Sequence, residues 1–215
     1  MIKKAFLISE LLIVLLFISC QQTDQDPTCQ IGFCENNGTL IDCACECPQG
    51  FTGLNCEKID FTQTQKLLDN GITPFELISS GVKLDSIYGK IYKDGHIFEL
   101  NIVDKIVKIT TKKDLEENLQ WTNAVNYCDN LEINNSLDWY LPNLDEVIEI
   151  REILYLKLKL GDFEDDYYWT SNTLDNNPND AYGVFFLNGN IGPIEKDRMN
   201  NVSYNFVRAV RQIQL

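Results

Sequence analysis

Six of the eight cysteines are Cys29, Cys34, Cys43, Cys45, Cys47 and Cys56. A stretch of 28 residues cannot bury a useful core, so crosslinks must hold it together, each worth about 2–4 kcal/mol. Cysteine at this density indicates disulfides made in an oxidising compartment. Zinc is the competing chemistry, but C-x-C-x-C with no histidine nearby suits it badly. Gly50 and Gly53 flank Phe51 in the closing run from Cys47 to Cys56, as a tight turn with positive φ requires.

The N-terminus supports that compartment. Lys3 and Lys4 precede an unbroken apolar run, Leu11 to Ile18, closed by Ser19 and Cys20. The apolar stretch is too short for a membrane span of about 20 residues. Phe17-Ile18-Ser19-Cys20 resembles the lipobox of bacterial lipoproteins, with Phe17 in place of the usual leucine. That resemblance implies lipidation at Cys20, and an ordinary signal peptide is the alternative. Cleavage before Cys20 removes Lys3, Lys4 and Glu10, leaving 16 basic against 31 acidic residues, a charge of −15 where the whole chain has −14. A surface this acidic repels phosphate backbones and excludes nucleic acid as a partner. Several acyl chains on one cysteine anchor stably where a single chain does not.

Cys47-Pro48-Gln49-Gly50-Phe51-Thr52-Gly53 leading to Cys56 resembles the ending of an EGF-like module. The resemblance implies the pairs Cys29–Cys43, Cys34–Cys45 and Cys47–Cys56. The single residue between Cys43 and Cys45 departs from the longer hairpin of that family. Asp24 and Asp26 are off the register of its calcium-binding subtype, so a calcium-free spacer is expected.

Glu57 to Asn70 reads as a polar linker. Beyond it, Thr73 and Pro74 suit the cap and first position of a short helix stopped by Gly81. Tyr88–Ile91 and Ile97–Ile109 read as strands about an Asp94-Gly95 turn. Leu115–Leu131 has helical periodicity, and Asn143 can cap a second helix reaching Leu158. Tyr167–Ser171, Tyr182–Leu187 and Phe206–Ile213 read as strands, with Asn188-Gly189 a hairpin turn. Helices come early and strands mostly late, which argues an α+β class.

Trp121, Ala124, Tyr127 and Cys128 precede Asp138-Trp139-Tyr140-Leu141-Pro142, and Tyr168-Trp169-Thr170-Ser171 and Val207-Arg208-Ala209-Val210-Arg211 follow. This series resembles the Lcl C-terminal domain family, named for a bacterial collagen-like surface adhesin. The resemblance implies a C-type lectin-like fold, with two helices on a twisted antiparallel sheet. The expected organisation is a lipoprotein signal peptide over residues 1–19, a tether over 20–28, the EGF-like module over 29–56, a linker over 57–71 and the lectin-like domain over 72–215.

Catalysis finds little support in these residues. His96 is the only histidine, expected on the surface after a turn, and Cys128 lies on an apolar helical stripe as an inert thiol. Glu164, Asp165 and Asp166 are adjacent, so they point in different directions and suit a loop better than a glycosidase pair. Binding is the expected class, and the chain is expected not to be an enzyme. Trp139 and Trp169 could stack on sugar rings if exposed, and Arg208 completes that candidate ligand-binding set. Arg208 and Arg211 face opposite ways, and one is expected to pair with Asp138 or Glu146. No cofactor is expected, although Asp175, Asn177, Asn179 and Asp180 in a polar loop could offer oxygens to Ca²⁺; an Asn-rich turn is the competing reading.

The expectation is therefore a lipid-anchored protein of the cell envelope, at the outer membrane and surface-exposed or periplasm-facing. It would serve adhesion or recognition, with a glycan or a matrix or cell-surface protein as partner. A non-catalytic scaffold of a cell-surface complex and a degenerate enzyme of the lectin-like superfamily are the alternatives.

Overall fold

The structure, a computed structural model, describes residues 32–48, 50–115, 118–197 and 204–215. The signal segment, Cys20, the tether and the Cys29–Cys43 pair lie outside the described residues.

The cysteine-rich segment is built from two small antiparallel pairs: β1 (Thr39–Ile41) with β2 (Ala44–Glu46), and β3 (Phe51–Thr52) with β4 (Lys58–Ile59). Disulfides join Cys34 to Cys45 and Cys47 to Cys56, and Cys43 is also disulfide-bonded. Leu40 and Ile41 are exposed on β1 and Phe33 and Leu54 beside the pairs, so covalent closure takes the place of a core here.

Residues 57–71 are not an inert linker. Asp60 caps a 3-10 turn, Phe61–Gln63, which runs into α1 (Thr64–Asp69). Leu67 and Leu68 of α1 enter the main hydrophobic core, and Gln65 bonds the backbone of Ile91 through both amide atoms. Three apolar-facing positions, Thr64, Leu67 and Leu68, make a one-sided short helix that only tertiary burial stabilises. The segment α2 (Pro74–Ser79) follows, with a capping box between Thr73 and Glu76 and Pro74 at its first turn.

A five-stranded antiparallel sheet has the order β5 (Ile91–Tyr92), β6 (Gly95–Asn101), β7 (Ile106–Thr111), β12 (Val210–Gln214), β8 (Trp139–Tyr140). The first hairpin turns at Lys93-Asp94, whose φ values of 46° and 78° suit a two-residue turn of type I′, and not at Asp94-Gly95 as expected. Gly95 instead opens β6, where a Cβ would stand 2.6 Å from the Thr110 carbonyl. The expected strand over Ile97–Ile109 divides into β6 and β7 around a turn at 102–105.

The expected helix over Leu115–Leu131 shrinks to α3 (Trp121–Asp129). Leu115 and Leu119 spend their backbone N–H groups on the Val207 and Asn205 carbonyls instead, so long-range pairing overrides local periodicity. The second helix starts at its expected cap: Asn143 and Glu146 form a capping box on α4 (Leu144–Ile150). It continues as a π-helix, Arg151–Leu158, that ends at left-handed Lys159.

A second, three-stranded sheet runs β11 (Ile191–Glu195), β10 (Asn177–Phe185), β9 (Tyr167–Leu174). Strand alternation divides the interior into two cores. Ile97, Trp169 and Ala209 face one, while their neighbours Phe98, Tyr168 and Val210 face the other. Helices α1 to α3 cover the first and α4 the second. The result is a mixed α/β fold dominated by antiparallel sheets. Among the described residues no helix is long and apolar enough to cross a membrane.

Candidate ligand-binding site

The expected ligand-binding trio is internal. Trp139 and Trp169 are 2% and 1% exposed, and Arg208 is 2% exposed. Trp169 donates its indole N–H to the Leu119 carbonyl at 2.7 Å, and neither ring has a free face for a sugar. Arg208 bonds Asp114, Thr111 O at 2.7 Å and Gly161 O, and its guanidinium stands 3.9 Å from the Phe163 ring centre. Tyr168 donates to the same Asp114 carboxylate at 2.6 Å. Burial raises the Asp114 carboxyl against the opposing pull of Arg208 and Tyr168. All three residues hold the fold together.

The proposed Ca²⁺ loop is also corrected. Residues 167–185 form a hairpin whose turn is Asp175-Asn176, with Leu174 opposite Asn177. Asn177 and Asp180 bond to each other through side chains at 2.9 Å, and Asn179 lies on the strand facing the β11 end. Asp175 stands in the turn, while Asn177, Asn179 and Asp180 lie on β10, where the Asn177 amide is committed to the Asp180 carboxylate. Among the described residues no group of three or more His, Cys, Asp or Glu side chains could hold a metal.

The other titratable candidates are equally separate. Cys128 is buried, and burial pushes its thiol up to about 12, so no thiolate nucleophile forms near neutrality. His96 is half-buried rather than exposed, with Nδ1 2.8 Å from the Gly89 carbonyl. Burial lowers its pKa, partly offset by that hydrogen bond. Asp165 accepts from the Tyr155 hydroxyl while Asp166 accepts from the Tyr167 backbone N–H. Arg211 makes an ion pair with Asp138, its Nε–H not aligned for a hydrogen bond. Glu146 instead takes Lys108, at 3.1 Å, and the Tyr140 hydroxyl, at 2.8 Å.

Polar and aromatic groups do converge elsewhere, in a cleft of about 310 Å³ between the start of α3 and the β10–β11 hairpin. Trp121, first residue of α3, is held at two points: its backbone N–H bonds Lys196 O at 3.1 Å and its indole N–H bonds Thr170 O at 2.8 Å. The residue is partly buried and packs against the main core. The Lys196 ammonium lies 4.2 Å from the ring centre and donates to Pro178 O at 2.7 Å. Gln120 provides no side-chain cap for α3. Asp197 stands in, accepting from Thr122 Oγ1 at 2.6 Å and lying 3.4 Å from its backbone N, where a carboxylate also suits the helix dipole. Asn179 and Glu195 complete the wall. Of the expected site residues only Asn179 reaches this cleft. Trp121 was visible as part of a helical stripe, but nothing local pairs it with Lys196 and Asp197.

A larger cleft of about 430 Å³ lies between the disulfide segment and α1–α2, walled by Asn36, Asn37, Pro48, Phe51, Asn70 and Ile72. Among the described residues it brings together amides and apolar walls but no charged group. The Trp121 cleft is the better candidate, because aromatic, hydroxyl, amide, carboxylate and ammonium groups meet there.

No curated protein matches the chain. Comparison with known families matches residues 102–211 to the Lcl C-terminal domain. The matched segment begins just after β6 and ends within β12, so it contains every residue of the Trp121 cleft. β5, β6, α1 and α2 lie outside it yet complete the same sheet and core. The match spans half of the chain, and the protein belongs to the Lcl C-terminal domain family.

Proposed function

We propose that this protein is a surface-exposed lipoprotein for adhesion or recognition, whose C-terminal domain binds a glycan or a glycan-bearing matrix protein in the Trp121 cleft. The observation that carries the reading is the half-buried indole, anchored at its N–H, with hydroxyl, amide and carboxylate groups around it. An aromatic face takes the apolar face of a sugar ring, and fixed polar groups around it set orientation. The −14 charge of the chain disfavours polyanionic ligands. Lipidation at Cys20 would tether the chain to the envelope. An EGF-like module, supported by the Cys34–Cys45 and Cys47–Cys56 bridges, would hold a C-type lectin-like domain away from the membrane. A glycan and matrix-protein array on the full-length chain, run with calcium and with EDTA, tests the reading. Selective binding that resists EDTA and is lost in Trp121→Ala is expected; absence of selective binding overturns it.

A second reading has its own support. Phe33, 63% exposed, and Leu54, 78% exposed, make the disulfide segment apolar outside, as a scaffold that contacts protein would be. Co-purification of a stoichiometric partner, lost in a Phe33→Ser and Leu54→Ser double variant, would favour it.

A further inference from the structure

We propose that Lys196 is a built-in occupant of the Trp121 cleft, which the ligand must displace, and that the ligand class is a neutral sugar; this rests on the cleft being the binding site.

The indole of Trp121 is partly buried, packs against the core and commits its N–H to Thr170 O, so a ligand can stack only on the part of the ring that the cleft exposes. The Lys196 ammonium stands there, 4.2 Å from the ring centre. That is the height at which the carbons of a stacked sugar would sit, and both cannot be present at once. The backbone of Lys196 is fixed on both sides, by Lys196 N to Asn179 O at 2.9 Å and by Trp121 N to Lys196 O at 3.1 Å. Displacement therefore falls to the side chain, a flexible four-carbon stem, which must give up its place over the ring and its bond to Pro178 O. The carbonyl of Pro178 is then released to accept from a ligand hydroxyl. Asp197 and Glu195 flank the same cleft. Carboxylates accept from sugar hydroxyls but repel a carboxylate or sulfate on a ligand, which selects neutral rings over acidic ones.

The test uses the full-length chain with galactose, mannose, N-acetylglucosamine and glucuronate as probes, followed by tryptophan fluorescence and ligand-observed magnetic resonance. Trp139 and Trp169 are buried and act as internal references, so acrylamide quenching reports the Trp121 ring. Lys196→Ala is expected to increase quenching and to tighten binding of a neutral sugar about two- to fivefold, the scale of one exposed cation–π contact. Lys196→Arg, whose flat guanidinium stacks better on an indole, is expected to weaken binding. A merely structural lysine would give the reverse order, with Arg rescuing and Ala impairing. If Trp121→Ala abolishes binding while Lys196→Ala leaves it unchanged or weaker, the displacement proposal falls and the binding site stands. If Trp121→Ala binds like the native chain, or neither the native chain nor Lys196→Ala binds any neutral probe, the site itself falls. Preference for glucuronate overturns the ligand class.

Discussion

The disulfide segment and the C-terminal domain solve the same problem by opposite means. In the segment, strands of two or three residues are too short to bury a face, and Phe33, Leu40, Ile41 and Leu54 remain in solvent. Its cohesion comes from the bridges, which restrict the unfolded chain more than they fill the folded one. In the domain, Ile97, Phe98, Ile109, Leu154 and Trp169 are almost wholly enclosed, and burial at about 25 cal/mol per Å² does the work. The two meet where Phe51 packs on the main core and Asp60 N bonds Gly50 O at 2.8 Å. Gly50 approaches Leu67 so closely that a Cβ would stand 2.4 Å from its Cδ2. The domain also leaves Val103 and Leu137 in solvent, but it has an enclosed core beneath them, whereas the segment relies on its bridges.

Three perturbations address the two regions separately. The largest effect is expected from Arg208→Met, which strands Asp114 in the interior without its cation. Removing one partner of a buried pair costs about 3–5 kcal/mol, read as a drop in the urea midpoint of the domain. The bridges should persist in the variant, and their loss would mean that the segment depends on the domain. Next comes the double variant Cys47→Ser and Cys56→Ser. A loop of this kind contributes about 2–4 kcal/mol, and the loss should fall on the segment, followed by proteolysis between residues 32 and 60. A matching loss in the domain's calorimetric transition would show that the Phe51 and Leu67 contacts join the two into one cooperative unit.

The smallest effect concerns pH. The single histidine lies in the domain, so acidification addresses that half. Burial holds His96 below its ordinary value, so its neutral form is favoured in the folded state. The unfolded chain then binds the proton more readily, and stability rises with pH through this interval. Its contribution is complete above about pH 6.5 and declines as pH falls through the unfolded and then the folded pKa. Melting curves of the native chain and His96→Asn between pH 5 and 8 should diverge on the acidic side, with the shallower slope in the variant. Parallel curves would count against the burial of His96.

Where reasoning from the chain agreed with the fold, the determinants were contiguous. Thr73, Pro74 and Glu76 specify the start of α2 within four residues, and Asn143 and Glu146 do the same for α4. Asn188 and Gly189 place a turn because Gly189 takes a φ of 79° that few other residues tolerate. Disagreement arose where partners are remote. Leu115 and Leu119 fit a helical stripe, yet their backbones pair with residues 207 and 205. Leu67 and Leu68 lie in a polar-looking segment and gain their meaning only from the core they enter. The aromatic residues singled out as binders, Trp139 and Trp169, are buried, while Trp121 presents its ring to a cleft.

The disulfide-built segment, the two capped helices, the Lcl family pattern and the acidic charge follow from the order of residues alone, because spacing, capping and composition act within a few residues. The tertiary structure alone decided which tryptophan meets solvent, that Arg208 is enclosed, and that the supposed metal loop is a hairpin. It also brought Thr122 to Asp197 and Trp121 to Lys196, each pair 75 residues apart. Such meetings depend on how sheets and helices pack on two cores, a property of the whole folded chain that no local run of residues contains.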